Sequence, residues 1–181
     1  MNMLLPSLSD EAVLWVWIAN RSLQTAEQEH LLSRLELFLR SWTTHGKSVR
    51  GDATILEDRI LLIGGEVDAG EISGCGIDKS VHVIETTGRE IGSGWLAGLT
   101  IAFRRPGAPS IETATRSDFK RMARTGEVDA STLVYDRTTT TLGKVRAAGL
   151  ARPASDTWTA RYFSPVGQVP GQATGHRAGR D

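Results

Sequence analysis

Two short, continuous runs of apolar residues constrain the fold of this chain more than any other feature. Residues 12–19 read Ala-Val-Leu-Trp-Val-Trp-Ile-Ala, and residues 60–63 read Ile-Leu-Leu-Ile. Apolar runs of this length are typical of strands that are covered on both faces. Because side chains alternate along a strand, Trp15 and Trp17 should share one face of the sheet. The chain is therefore expected to build its core around a buried sheet.

The segments around these two runs complete a known order of elements. Apolar residues at helical spacing predict helices over 25–43 and 77–87, and more polar strands are predicted at 48–56 and 99–104, with a tight turn at 57–58. The order strand, helix, strand, strand, helix, strand is that of the ferredoxin-like fold. We therefore predict an α+β protein with a ferredoxin-like βαββαβ core, in which an antiparallel sheet carries two helices on one face.

The chain is expected to fold as one core with an appended segment. It has 181 residues, of which 40% are hydrophobic, and this is ordinary for a globular protein. Residues 1–105 are predicted to form the ferredoxin-like core. Residues 106–163 are predicted to form a C-terminal α/β extension that packs on the sheet face left open by the helices. Residues 164–181 are rich in Gly, Pro, Gln and Arg without periodicity, so we predict a disordered tail.

Charge and cysteine content narrow the classes of function. The 21 basic residues balance the 21 acidic ones, and a net charge of zero argues against a general nucleic-acid surface. The single cysteine excludes an internal disulfide. No apolar stretch reaches the roughly 20 residues that span a membrane, and residues 1–14 lack the features of a signal peptide. We therefore expect a cytoplasmic protein that is not membrane-bound and that needs no cofactor.

Small and polar residues follow the first and third predicted strands. Asn20 and Arg21 come after the first strand, and Ser73, Gly74 and Gly76 precede the second helix. We expect the first and third strands to be adjacent and parallel, which would bring both loops to the same edge of the sheet. Two helix N-termini would converge there, and their N–H groups favour an anion. This edge is the predicted ligand-binding site.

Cys75 lies beside this loop, at the start of the second helix, where the helix dipole favours a thiolate. Asp78 follows within one turn of the helix. Its expected role is that of a general acid or base or, alternatively, that of a first-turn carboxylate that interacts favourably with the helix dipole. An alternative hypothesis makes Cys75 and Asp78 the catalytic residues of a thiol-dependent enzyme or redox sensor. His82 lies about two turns from Cys75, which is too far for a Cys–His pair unless Cys75 folds back. The sequence shows no metal-binding constellation.

Short segments spread from Trp15 to Phe163 together resemble a family of small bacterial proteins. Members of this family are common in Bacteroidetes-type genomes and often carry the label ABC transporter ATPase. The label implies nucleotide binding, but this chain has no Walker motif. Gly76 stands where a serine is usual in the family, and Thr159 where a histidine is usual, so no mechanism that needs either residue carries over. The matching segments are Trp15-Val-Trp-Ile-Ala-Asn20-Arg21, Trp42-Thr-Thr-His45-Gly46, Ser73-Gly-Cys75-Gly-Ile77-Asp78-Lys-Ser80-Val81, Thr132-Leu-Val-Tyr135 and Ser155-Asp-Thr-Trp158.

The sequence favours a binding protein, because no catalytic constellation is present. Its expected partner is a small anion or a protein that binds at the edge formed by Asn20, Arg21 and residues 73–78. Enzymatic activity through Cys75 stays open as the alternative, and so does a homodimer. Nucleic-acid binding ranks third, because its only support is a group of basic residues within 104–124.

Overall fold

The computed structural model describes residues 4–163 of the chain, and it has the mixed α+β class that we predicted. The predicted disordered tail at 164–181 lies outside these residues. No described helix is both long and apolar enough to cross a membrane. The strands are β1 (Val13–Ile18), β2 (Thr43–Thr44), β3 (Lys47–Ser48), β4 (Arg50–Leu56), β5 (Ile60–Glu66), β6 (Ile101–Arg104), β7 (Glu112–Ala114), β8 (Leu133–Tyr135) and β9 (Ala151–Pro153). The helices are α1 (Thr25–Arg40), α2 (Gly74–Glu90), α3 (Arg116–Thr125) and α4 (Leu142–Ala148), followed by the 3-10 helices η1 (Ala154–Asp156) and η2 (Trp158–Tyr162).

Local signals set both ends of α1. At its start, the Glu27 carboxylate accepts a hydrogen bond from the backbone N–H of Gln24 at 2.8 Å, which satisfies a donor that the helix itself cannot pair. The helix ends at Arg40, earlier than predicted, because a short β2–β3 hairpin follows. His45 and Gly46 form its turn with φ of 47° and 76°, the left-handed pair that a two-residue hairpin loop requires.

The first sheet contains three strands in the order β1-β5-β4, and each neighbouring pair is antiparallel. The predicted turn at residues 57–58 is confirmed, since Glu57 and Asp58 have φ of 50° and 54° and join β4 to β5 in a tight hairpin. The α1 helix connects β1 to β4, and β4 runs in the same direction as β1. The β4–β5 hairpin turns the chain round, so β5 runs antiparallel to both β4 and β1. The first and third predicted strands are therefore neighbours, but our prediction that they run parallel is wrong.

The four-stranded ferredoxin-like sheet that we predicted is not formed. The predicted fourth strand, β6, pairs with β7 and β8 in a second sheet of order β7-β6-β8-β9. After α2 the chain first runs beside β1, with an isolated antiparallel bridge between Ala19 and Trp95. The Arg137 guanidinium then binds the carbonyl oxygens of Leu96 and Ala97, so the chain does not continue a ladder along β1.

The core has one layer on each face of the first sheet. Both α1 and α2 cover one face, as predicted, through a cluster that contains Leu31, Leu35, Leu61, Ile63 and Ile84. The chain itself covers the other face with its N-terminal segment, the second sheet and α4. How the chain divides into domains at residue 105 stays a prediction.

Candidate functional site

Asn20 and Arg21 lie just after β1, and their polar groups contact neighbouring parts of the protein. Arg21 forms a two-pronged ion pair with Glu27 at 2.7 and 2.8 Å and donates to the carbonyl oxygen of Ile91 at 2.8 Å. The hydrogen bond from Arg21 lowers the pKa of Glu27 to about 2. The side-chain oxygen of Asn20 accepts a hydrogen bond from the Ser93 hydroxyl at 3.2 Å. Arg21 therefore joins the start of α1 to the end of α2.

The predicted site loop at residues 73–78 begins α2 and is bound to the β2–β3 hairpin. The Ser73 hydroxyl accepts a hydrogen bond from the N–H of Gly76 at 3.3 Å and another from the Thr44 hydroxyl at 2.8 Å. The Thr44 oxygen in turn accepts from the Ser73 N–H at 2.8 Å. The buried indole N–H of Trp42 donates to the Gly76 carbonyl at 2.9 Å. These groups cap the helix and hold it in place.

The two halves of the predicted site do not meet. Arg21 contacts the C-terminal end of α2, whereas Ser73 caps its N-terminal end, and a helix of 17 residues is about 25 Å long. Because β1 and β5 are antiparallel, the loops that follow them lie at opposite ends of the sheet. The ligand set that we predicted, Asn20, Arg21, Ser73, Gly74 and Gly76, therefore does not form one site.

The proposed catalytic pair, Cys75 and Asp78, is exposed in the first turns of α2. Among residues 4–163, neither the Cys75 sulfur nor the Asp78 carboxylate has a hydrogen-bond or ion-pair partner. Over the same range, no group of three His, Cys, Asp or Glu residues could hold a metal ion. The thiol hypothesis stays a prediction, and no neighbouring group supports it.

A different site forms along the outer edge of β1, whose central backbone groups have no hydrogen-bond partner within residues 4–163. The N–H of Leu14 donates to the Thr140 carbonyl at 2.9 Å, and the N–H of Leu96 donates to the Ile18 carbonyl at 2.8 Å. The even-numbered residues of β1 therefore direct their backbone groups away from β5. Within the described chain, no hydrogen bond on this side uses the Leu14 carbonyl, the N–H and carbonyl of Val16, or the Ile18 N–H. Four consecutive polar groups thus face outward.

A groove of about 540 Å³ runs along this stretch, and we call it the β1 groove. Trp15 and Trp17 line it from β1, Tyr135 lines it from β8, and Trp158 lines it from η2. The three tryptophans are half-buried, and their indole N–H groups make no hydrogen bond to any described residue. Trp158 therefore offers a ligand aromatic surface and an unused donor, whereas the rings of Trp15 and Trp17 pack beside Trp42 and Trp95 on the helix-covered face of the sheet.

Three arginines line the β1 groove, and none of its described lining residues is acidic. The guanidinium carbons of Arg116 and Arg161 lie 4.9 and 5.0 Å from the ring centre of Trp158. Arg137 is half-buried, and its burial lowers the pKa of the guanidinium. Between residues 4 and 163, no carboxylate lies within ion-pair distance of any of the three. The net charge of the whole chain is zero, but positive charge is concentrated in the β1 groove.

The chemistry of the β1 groove suits binding. Guanidinium and indole N–H groups donate hydrogen bonds to anions, and the aromatic rings contact apolar groups. The described lining contains no carboxylate, histidine or cysteine that could act as a general base or nucleophile.

Sequence reasoning missed this site because its lining comes from segments far apart in the chain. We interpreted Trp15 and Trp17 first as core residues, and their rings do pack against the helix-side core beside Trp42 and Trp95. We noted Arg116 only as part of a basic group. Arg137 and Arg161 carry no local pattern that marks them. The one available signal was the absence of any charged residue in 12–19, which becomes meaningful only once β1 is known to be an edge strand.

Comparison with known proteins does not indicate a function for this chain. Protein-family models, curated proteins and solved structures give no significant match to this chain. The resemblance to the small bacterial family therefore stays a prediction.

Proposed function

We propose that this protein is a non-enzymatic binding module, that the β1 groove is its site and that its ligand is negatively charged. The observation that carries the proposal is the set of groove arginines, Arg116, Arg137 and Arg161, which have no carboxylate partner among residues 4–163. Arg21 and Arg146 pair with acidic side chains, whereas Arg124, outside the groove, makes no ion pair with any described residue; the groove differs in that it brings three such arginines together. Guanidinium groups beside aromatic surface form strong, charge-assisted hydrogen bonds with anions, so an acidic ligand would complete this site.

The size and lining of the groove also support a ligand larger than a single ion. Its volume of about 540 Å³ falls within the range of roughly 300 to 1,000 Å³ that is typical of ligand pockets. Its lining runs along β1 from Val13 to Trp17 and so extends beyond the arginines. A ligand that combines negative charge with apolar groups would use both parts of the groove.

The proposal can be tested by two-dimensional NMR on the ¹⁵N-labelled full-length chain. The probes are the peptide acetyl-Val-Glu-Val-Glu-Val-amide, its lysine counterpart and inorganic phosphate. We expect the glutamate peptide to shift the indole N–H signal of Trp158 and the backbone amide signals of Trp15, Val16 and Trp17, and added salt to weaken the effect because it screens exposed charges. The lysine peptide should cause no such shifts. If neither anionic probe shifts the groove signals, the proposed function is wrong.

Charge-neutralising variants locate the site. The double variant Arg116→Gln/Arg161→Gln should weaken binding of the glutamate peptide by about tenfold, which corresponds to about 1.4 kcal/mol. Arg124→Gln, on the exposed surface of α3 and outside the groove, is the control for the loss of a positive charge. Equal affinity for the wild-type chain and the double variant would contradict the proposal.

A further inference from the structure

We propose that the β1 groove binds an extended acidic peptide, which adds to the free edge of β1 as a short antiparallel strand. This inference rests on the proposed function and names the class of its ligand. It depends on three features: the unpaired backbone groups of β1, the faces to which its side chains project, and the charge of the groove.

Two segments of the chain already flank β1 in the position of a neighbouring strand. Residues 94–96 run antiparallel beside its end, and residues 140–142 run antiparallel beside its start. Between them, no described segment of the chain pairs with the stretch of β1 from Trp15 to Trp17 on this side. Three extended residues span about 10 Å, so the opening accepts a short stretch of peptide in strand conformation.

Val16 provides the central point of attachment for a peptide backbone. Its N–H and carbonyl both point outward, and a single residue placed opposite in an antiparallel strand satisfies both groups. An ionised carboxylate or phosphate could accept from the Val16 N–H but could not donate to its carbonyl. The peptide backbone supplies a donor and an acceptor together, and this favours a peptide over a small anion.

The edge of β1 also lacks the features that normally prevent strand addition. Protected edges carry charged residues, prolines or bulges, which block pairing with another chain. Residues 12–19 contain no charged residue and no proline, and the register with β5 is unbroken from Val13 to Ile18. The exposed centre of this edge is Trp-Val-Trp. Such an edge is a template for a partner strand, as in other proteins that recognise peptides by β-augmentation.

The two faces of β1 predict a sequence pattern for the peptide. Directly opposed residues of antiparallel strands project to the same face. The peptide residue opposite Val16 should therefore project towards the second sheet, because Val16 packs on that side. The groove arginines come from α3, from η2 and from the residue after Tyr135, all on this side. Its two neighbours should project towards the face of Trp15 and Trp17, so we expect an acidic residue between two apolar ones.

Charge complementarity favours a separate acidic peptide over the other candidate occupants. A second copy of the chain pairing through β1 would bring its own groove arginines close to those of the first. The segment 164–181 contains His176, Arg177 and Arg180 and a single acidic residue, Asp181. A nucleic acid could stack on the tryptophans but has no backbone that pairs with a strand edge.

The first experiment selects peptides from a random heptapeptide phage library on the full-length protein, with counter-selection on Arg116→Gln/Arg161→Gln. We expect enrichment of peptides with an acidic residue between apolar residues.

The most enriched peptide is then synthesised with an N-methyl group on the acidic residue, which removes the N–H that would donate to the Val16 carbonyl. Its affinity should fall by about tenfold or more, as expected for loss of a buried hydrogen bond together with a steric clash. N-methylation of the next residue, whose N–H points away from β1, should cost clearly less.

The second experiment measures amide hydrogen exchange of the full-length protein with and without the selected peptide. Binding should slow exchange of the Val16 amide by about tenfold or more, because this N–H gains a hydrogen bond. The Trp15 and Trp17 amides point towards β5 and should change little. The unbound chain should show fast exchange at Val16 at every protein concentration.

The possible outcomes separate this inference from the proposed function. If peptides bind in the groove but N-methylation has no effect and Val16 is not protected, strand addition is wrong while the anion site stands. If no peptide is enriched and no anionic probe shifts the groove signals, both proposals are wrong.

Other results would indicate a different occupant of the groove. Val16 protection in the unbound chain would mean that the chain itself fills the groove. If that protection depends on protein concentration, a second copy of the chain fills it. Stronger displacement of the peptide by a dodecamer of deoxythymidine than by unlabelled peptide would indicate a nucleic-acid site. Each of these last results would overturn the inference.

Discussion

Thr87 in α2 is a fully buried residue whose hydroxyl oxygen has no hydrogen-bond partner within the described chain. A buried hydroxyl without a partner loses its hydration and gains nothing in return. We expect Thr87→Val, which keeps the shape of the side chain, to raise the free energy of unfolding by about 1 kcal/mol. Urea denaturation followed by circular dichroism measures this change.

Thr86→Val is the matched control for this substitution. The Thr86 hydroxyl is half-exposed and accepts a hydrogen bond from Arg89 at 3.1 Å, so its removal should bring no gain in stability. If Thr87→Val instead destabilises the protein, the hydroxyl has a partner, such as an ordered water molecule, and the explanation is wrong.

At the scale of an element, the ion pair between Arg21 and Glu27 stabilises the start of α1. The pKa of the Glu27 carboxyl is about 2 in the folded protein, compared with an ordinary value of 4.5, because Arg21 binds its charged form. A lowered pKa stabilises the fold above the ordinary value, and this contribution is lost as the pH falls towards about 2. Glu27→Gln should therefore be less stable than the wild type at pH 6, and the difference should close between about pH 4.5 and 2.

The pH dependence of urea denaturation for both proteins tests this expectation. Glu36→Gln is the control, because the Glu36–Arg40 ion pair lies on the same helix but is largely exposed and should contribute little. A stability difference for Glu27→Gln that stays constant down to pH 2 would show that charge is not the cause.

At the scale of the whole molecule, Arg59 connects the two sheets. From the end of the β4–β5 hairpin, its guanidinium donates to the carbonyls of Ala19 at 2.9 Å, Asn20 at 3.1 Å and Ile111 at 2.5 Å. The Ile111 carbonyl lies directly before β7 of the second sheet. Arg59→Met would leave these carbonyls without their donor, so we expect a loss of about 2 to 3 kcal/mol in the free energy of unfolding.

Arg89→Met on α2 is the control for this change, because the Arg89 side chain is exposed and, among residues 4–163, bonds to Thr86 alone. It should change the free energy of unfolding by less than about 0.5 kcal/mol. Equal effects of the two substitutions in urea denaturation would mean that Arg59 does not join the sheets.

The candidate site could be predicted only in part, for reasons that depend on distance along the chain. The presence of α2 was predictable from its amphipathic pattern, but the helix begins at Gly74, earlier than the predicted residue 77, because Ser73 caps it. Its assignment as half of a ligand site failed, because that step required the direction of β5 relative to β1. The β1 groove was not predictable, since Trp15, Arg137 and Trp158 become neighbours only after both sheets have formed.

The sequence by itself determined the local elements of this protein: the helices α1 and α2, the apolar strands β1 and β5, and the turn at residues 57–58. Apolar periodicity and turn chemistry act over a few residues, and they are visible without the fold. The tertiary structure alone decided that β6 joins a second sheet, and it thereby left the edge of β1 open beside Arg116, Arg137 and Arg161. Strand pairing depends on hydrogen bonds between backbone groups that every residue carries, so no local pattern states which strand lies beside which.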